Sequence, residues 1–223
     1  MSASLAGVRL LVSAGPTYED IDPVRFLGNR SSGKMGFAIA AVAAELGAEV
    51  VLVAGPVHMA TPAAVMRIDV RSAAQMHDAV IGALPCDVYI GAAAVADFTP
   101  RAASANKLKK QPGQDTLLLE LVKTRDILAE VAAHAARPRL VVGFAAETDN
   151  VAGYARGKLE RKGVDLICAN RVGVAGGGFE SDDNALLVID RDGERALGPA
   201  SKTALAGELL DIVAGRLSAR SAG

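Results

Sequence analysis

The chain has no tryptophan, five phenylalanines and three tyrosines among 223 residues. Its core must come mostly from alanine, valine and leucine, and small residues at that density suit helices packed closely on a sheet. Cysteine is nearly absent too. Cys86 and Cys168 are too few and too far apart for a disulfide framework or a metal knuckle, and both sit at apolar positions. His58, His77 and His134 lack zinc-ligand spacing. The net charge of −1 removes any bulk electrostatic case for nucleic acid. No signal peptide opens the chain. Its longest apolar run, Phe37 to Ala44, is far short of a membrane span and is closed by Glu45. These absences describe a soluble, reducing, cytoplasmic protein with neither membrane nor nucleic acid among its partners. No linker is visible, so residues 1–223 read as a single domain.

What is present is an alternation. Strands are expected at Val8–Ser13, Glu49–Ala54, Val65–Val70, Asp87–Ala94, Leu117–Val122, Leu140–Phe144 and Asp165–Ala169. Helices are expected from Ser31 or Ser32, as cap, to Leu46, and at Ala73–Leu84, Thr124–Ala136, Val151–Lys162 and Lys202–Leu217. Ala185–Asp190 and Glu194–Leu197 flank Arg191-Asp192-Gly193, a hairpin signal. The last six residues read as a polar tail. The pattern implies an α/β, Rossmann-like, doubly wound and mainly parallel sheet with an antiparallel edge hairpin. Ligands bind beyond the carboxyl ends of such strands, which directs attention to the loops Gly15–Ser32, Ala92–Lys110, Lys123–Asp126 and Ala145–Asn150.

The stretch Gly28-Asn29-Arg30-Ser31-Ser32-Gly33-Lys34-Met35-Gly36 places glycines, hydroxyls and a cation before a helix. Unpaired N–H groups and the helix dipole favour an anion there. It nearly spells a Walker A loop, but Met35 stands where a magnesium-holding Ser or Thr is needed. A dinucleotide fingerprint is missing, because the turn after the first strand offers only Gly15. Tyr154-x3-Lys158 matches the catalytic pair of short-chain dehydrogenases, yet lacks that fingerprint. Packing of Tyr154 is the plainer reading. Gly91, Ala92 and Ala93 end a strand with little side chain in the way of a ligand, and Asp97 supplies a rim carboxylate. Lys107, Lys109 and Lys110 lie on an irregular, flexible segment, and Lys158 and Lys162 stand one helical turn apart.

Taken in order, these segments resemble the phosphopantothenoylcysteine synthetase family in its bacterial, CTP-using form. The resemblance rests on Ser13-Ala14-Gly15-Pro16-Thr17, Asp22-Pro23-Val24-Arg25, NRSSGKMG at 29–36, AAVADF at 93–98 and Lys107-Leu108-Lys109-Lys110. It continues through KTRD at 123–126, GFAAET at 143–148, DLICAN at 165–170 and Gly178-Phe179 to Asn184. It implies a ligase that joins 4′-phosphopantothenate to L-cysteine through an acyl-cytidylate, releasing pyrophosphate and then CMP, in coenzyme A biosynthesis.

The resemblance also implies roles. Asn29 would serve conversion of the acyl-cytidylate, its amide read as a donor to the acyl group. Ser31, Ser32, Gly33 and Gly36 would cradle the phosphate of phosphopantothenate. Gly91, Ala92, Ala93, Asp97, Phe144, Lys158 and Lys162 would bind CTP, with Lys123, Thr124, Arg125 and Asp126. Arg125 stands where the family commonly has proline. Lys107 would act on the triphosphate and in the activation step. Magnesium would enter with CTP and be held mostly by phosphates and water, with no protein cage.

A homodimer is implied, with the Lys107 loop or the terminal hairpin as the exchanged element. Bacterial relatives carry a flavin-dependent decarboxylase that nothing here resembles. Either the protein stands alone or the chain is a domain of a natively fused protein that begins with an added Met1; Ser2-Ala3-Ser4, read as a linker remnant, favours the second expectation. Two other functions compete with the ligase: a nicotinamide-dependent reductase using Tyr154 and Lys158, and a nucleotide sensor without turnover.

Overall fold

The computed structural model describes residues 4–110, 112–113, 115–147, 149–171 and 183–221. In chain order they form β1 (Arg9–Ala14), β2 (Tyr18–Asp20), β3 (Phe26–Gly28), α1 (Lys34–Glu45), β4 (Glu49–Ala54) and β5 (Val65–Asp69). Then come α2 (Ala73–Gly82), β6 (Val88–Gly91), β7 (Phe98–Pro100), β8 (Leu121–Lys123), α3 (Ile127–Ala133) and β9 (Leu140–Glu147). The chain closes with α4 (Val151–Lys162), β10 (Leu166–Arg171), β11 (Asp183–Ile189), β12 (Glu194–Ser201) and α5 (Lys202–Ser221).

Eight strands make one sheet in the order β12-β11-β10-β9-β6-β1-β4-β5. The pairs from β5 through β10 are parallel, while β11 and β12 add an antiparallel edge. This is the expected Rossmann-like architecture. The strands are apolar throughout because both faces are covered. Along β1, Leu10 and Val12 face a core shared with Phe37 and Ile39 of α1 and with Leu209 and Val213 of α5. Leu11 points the other way, among Met76, Val80, Val131 and Leu159 of α2, α3 and α4. Each buried valine or leucine contributes about 1.5–3 kcal/mol by leaving water, so burial on both faces holds the sheet rigid under its loops. Between β1 and its neighbours β4 and β6 the strand order reverses, and that is where such folds open a ligand crevice.

The details depart from expectation in five places. Gly15–Ser32 is not all irregular, since β2 and β3 pair within it as a short antiparallel ribbon. The strand expected at Leu117–Val122 shrinks to Leu121–Lys123 and leaves the main sheet to pair with β7. It has no place among the stacked parallel strands, and Leu118 is 95% exposed. The strand expected to end at Phe144 runs on to Glu147, shortening the loop after it. Asp126, not Thr124, caps α3, accepting from Ala129 N–H at 3.1 Å. The expected tail is helical through Ser221, where Ser218 Oγ bonds Ala214 O and Arg220 pairs with Asp165 at 2.6 Å. Among the described residues no helix is long and apolar enough to cross a membrane.

Candidate active site

A cleft of about 820 Å³ opens over the carboxyl ends of β1, β6 and β9. The strands hand their hydrogen bonds on to its walls: Ala92 N–H donates to Ser13 O at 3.0 Å and Ala94 N–H to Gly15 O at 2.9 Å. At its floor the hydroxyls of Ser13 and Tyr89 meet at 2.9 Å, both buried. Burial pushes the Tyr89 phenol well above its ordinary range, despite the bond to Ser13, so it stays neutral. Among the lining residues Arg30, Lys34, Lys123, Arg125, Lys158, Lys162 and Lys202 are basic and only Asp97 and Asp126 acidic. In a chain of net charge −1 this concentrates positive potential in one crevice.

The α1 entrance lies in that crevice. No serine caps the helix. Gly33 is the cap, in the left-handed region at φ 75°, and a glycine offers no side chain to cap the first turn. Ser31 Oγ instead accepts from Gly33 N–H at 3.4 Å. A side chain on Gly36 would put Cβ 2.4 Å from the Ala14 methyl, so this glycine lets α1 lie close against β1. The first turn has no acidic residue and opens with Lys34. The helix dipole and that lysine together favour an anion.

Asn29 reaches across from β3 to the loop after β6. Its Nδ2 donates to Ala94 O and Val95 O, at 3.1 Å each. Both N–H bonds are spent on main chain, which leaves Oδ1 as the group it can offer a ligand. The expected donor role of this amide toward an acyl group does not fit that geometry.

The opposite wall is the Lys123–Asp126 loop. Thr124 donates from Oγ1 to Ala96 O at 2.6 Å, and its N–H donates to Asp97 O at 3.0 Å. Ala96 is fixed from behind as well, its N–H donating to the buried Thr17 hydroxyl at 3.0 Å. Asp97 is an exposed carboxylate at the rim. Asp126 also pairs with Lys162. Burial works against ionisation of Asp126, but the bonds from Lys162 and Ala129 N–H outweigh it and lower its pKa. Lys158 Nζ donates to Phe144 O at 2.7 Å. Burial, then repulsion from Lys162, depresses the Lys158 pKa against the pull of Glu147, Asp126 and Asp97.

The cleft therefore gathers Asn29, Ser31, Ser32, Gly33, Gly36, Gly91, Ala92, Ala93, Asp97, Lys123, Thr124, Arg125, Asp126, Phe144, Lys158 and Lys162. Lys107 is not brought in. It is exposed outside the lining, on a segment whose neighbour Leu108 is pinned to the Asp22–Arg25 turn. Leu108 N–H donates to Asp22 Oδ2 at 3.1 Å and Leu108 O accepts from Arg25 Nη2 at 2.7 Å. Tyr154 is half exposed and also outside the lining, although Lys158 one turn later is within it. The Tyr-x3-Lys pair is not assembled over the crevice. Gly178, Phe179 and Thr148 lie outside the described residues.

Among the lining residues without an expected role are Asn170 on β10, Asn184 on β11 and Lys202 at the start of α5, all buried. A polar residue closing the apolar run Leu166-Ile167-Cys168-Ala169 was the available signal for Asn170.

A family model described as "DNA/pantothenate metabolism flavoprotein C-terminal domain" matches residues 5–217. The chain belongs to that family. It is 51% identical over 210 residues, 94% of its length and 53% of the relative's, to the coenzyme A biosynthesis bifunctional protein CoaBC of Vibrio cholerae. Identity to the protein of the same name from Escherichia coli K12 is 49% over 208 residues, covering 92% and 51%. The chain thus spans about half the length of these curated relatives. A crystal structure of the C-terminal domain of such a CoaBC protein superposes with a TM-score of 0.82 at 40% identity, covering 97% of this chain and 99% of that one. The family's fold is the one found here, including the antiparallel edge.

Proposed function

We propose that the cleft joins 4′-phosphopantothenate to L-cysteine with CTP as the activating nucleotide, as a phosphopantothenate–cysteine ligase. The observation that carries this reading is the division of the cleft into two cationic ends. The α1 entrance with Gly33 and Lys34 suits a single phosphate. Lys123, Lys158 and Lys162 line the other wall and suit a triphosphate. The relatives carry coenzyme A biosynthesis in their names, and a substrate with phosphate at one end and carboxylate at the other can bridge the two ends.

In the first step a substrate carboxylate oxygen attacks the α-phosphorus of CTP. A P–O bond forms, the bond to the β-phosphate oxygen breaks, and pyrophosphate leaves. In the second, the cysteine amine attacks the acyl carbon, the C–N bond forms, the amine gives up a proton, and CMP leaves. The protein's part is positioning and charge stabilisation. Lys158 and Lys162 stabilise phosphate charge. Asn29, with its amide tied to Ala94 and Val95, holds that loop in place and offers Oδ1 as an acceptor for an N–H of the attacking amine. Lys107 would act on the triphosphate only after its segment moves, or from the second protomer of a homodimer.

Among the described residues no three His, Cys, Asp or Glu side chains converge as a metal cage. Asp97, the exposed carboxylate of the lining, would help hold a magnesium ion that enters with the nucleotide, and the ion would neutralise phosphate charge.

The dimer reading draws on apolar exposure. Phe26 on β3, and Phe98 and Leu121 on β7 and β8, are exposed on two small ribbons outside the main sheet. Fusion to a flavin-dependent decarboxylase and a cytoplasmic location complete the proposal, on the relatives' bifunctional name. Mass-spectrometric detection of phosphopantothenoylcysteine from the three reactants tests it, and a folded protein that forms none overturns it.

A further inference from the structure

We infer that Arg125 is a positioning residue, which sets the Lys123–Asp126 loop through His77 and Glu130 and does not itself grip phosphate. The inference rests on the nucleotide reading of that wall. Glu130 holds two nitrogens of the Arg125 guanidinium, and the third lies against His77 Nδ1, which Asp78 Oδ1 also approaches at 2.9 Å. Nε donates to Glu130 Oε1 at 3.1 Å, Nη2 to Glu130 Oε2 at 2.6 Å, and Nη1 meets His77 Nδ1 at 3.2 Å. His77 Nε2 meets the same Glu130 Oε2 at 3.0 Å. The imidazole is only 3% exposed, an unusual place for a polar ring on a helix packed through Met76 and Val80.

This clamp joins three elements: α2 through His77, α3 through Glu130, and the loop through Arg125. The fork lowers the Glu130 pKa, with Arg125 the main cause and His77 adding to it, so the carboxylate stays charged and bound. A phosphate could take the two-pronged Nε–Nη2 edge of Arg125 only by displacing that carboxylate. Meanwhile the residues on either side face the cleft wall. Thr124 is tied to Ala96 and Asp97, and Asp126 is tied to Lys162 and caps α3. Arg125 thus anchors the back of a four-residue loop whose front binds ligand. The Arg125 side chain is 61% exposed and that of Glu130 36%, so solvent screens the pair and the clamp adds little to global stability. Its effect lies in where Lys123 and Asp126 stand.

The test compares Arg125→Gln, Arg125→Lys, Glu130→Gln and His77→Gln for CTP affinity by calorimetry, and for KM and kcat in turnover. A clamp predicts that Arg125→Gln and Glu130→Gln each weaken CTP by about tenfold, with the double variant no worse than either. It also predicts that KM rises more than kcat falls, and that Arg125→Lys does not rescue, because an ammonium cannot make the fork. If Arg125 were a direct ligand, Glu130→Gln would free it and tighten CTP, and Arg125→Lys would rescue. Either result overturns the inference. Hydrogen exchange of the Thr124 and Ala129 amides reads the clamp without nucleotide. Both should exchange faster in the Arg125 and Glu130 variants, and unchanged rates would overturn the clamp even if the wild type proved not to bind CTP. Failure of CTP binding by the wild type, with faster exchange in the variants, would instead count against the nucleotide reading and leave the clamp standing.

Discussion

Asn29 spends both hydrogens of its side-chain amide on the carbonyls of Ala94 and Val95, at 3.1 Å each. One side chain thereby links the approach to α1 with the exit of β6, the two places where acyl substrate and nucleotide would meet. Asn29→Asp keeps an oxygen acceptor, removes both donors and sets a negative charge against two carbonyls. Amide formation should fall by a factor on the order of 10² while pyrophosphate release continues and acyl-cytidylate accumulates. Quenched-flow product analysis checks this. Loss of the first step as well would show that Asn29 positions the activation complex.

Gly36 tests the packing that places the α1 entrance. Its missing Cβ would stand 2.4 Å from the Ala14 methyl, and that atom belongs to the central strand. Gly36→Ala should destabilise the fold by about 1–3 kcal/mol, seen as a lower midpoint in thermal unfolding. Gly33→Ala strains a positive φ and brings Cβ to 3.0 Å from a Val57 methyl that can give way, and should cost about 1 kcal/mol. Reversal of that order would mean that α1 can lift from β1 at little cost.

Lys158 makes nucleotide affinity depend on pH. Burial and the neighbouring Lys162 depress its pKa, so it loses its proton at a lower pH than an ordinary lysine. Phosphate binding needs the charged form. Affinity should therefore decline on the alkaline side before the usual lysine range near about 10.4. Lys158→Arg should move the decline to higher pH, and calorimetry across that range decides. An alkaline limb that Lys158→Arg does not move would assign it to another group.

Tyr154 and Lys158 should part company in turnover. Tyr154 is half exposed and outside the cleft lining, so Tyr154→Phe should keep turnover within about twofold, whereas Lys158→Gln should lose it. Equal losses in steady-state kinetics would revive the paired reading of these residues.

The thiols should be silent. Burial, with Asp87 adding to it, pushes Cys86 up to about 11, and burial pushes the fully buried Cys168 well above the ordinary thiol range. At pH 8 roughly one part in a thousand of Cys86 is thiolate. Neither should react with a disulfide reagent within minutes until the chain is unfolded, followed by absorbance. Rapid labelling of native protein would place Cys86 in a more polar setting.

The central sheet was legible because two-sided burial writes continuous apolar runs, and β1, β4, β6, β9 and β10 fell where such runs were read. The serine cap of α1 was not. Ser31, Ser32 and Gly33 all favour helix starts, and only the close approach of α1 to β1 selects Gly33. Leu117–Glu120 misled for a different reason. Their leucines fit a buried strand, but they lie outside every strand, and the residues that follow them pair with β7 and not with the main sheet. In the candidate site, loop positions after strands were readable from small residues and charges. The direction of a side chain within a loop is not, so neither the bonds of Asn29 to main chain nor the place of Lys107 outside the cleft follows from spacing. Asn170, Asn184 and Lys202 reach the cleft from the far strands and from α5, an adjacency that topology creates and spacing along the chain does not encode.

The most direct measurement is pyrophosphate release by the folded protein with CTP, magnesium and 4′-phosphopantothenate, with and without L-cysteine. The account predicts release that requires both CTP and phosphopantothenate, amounting to about one equivalent per site without cysteine and turning over continuously with it. No release from the complete mixture would contradict it.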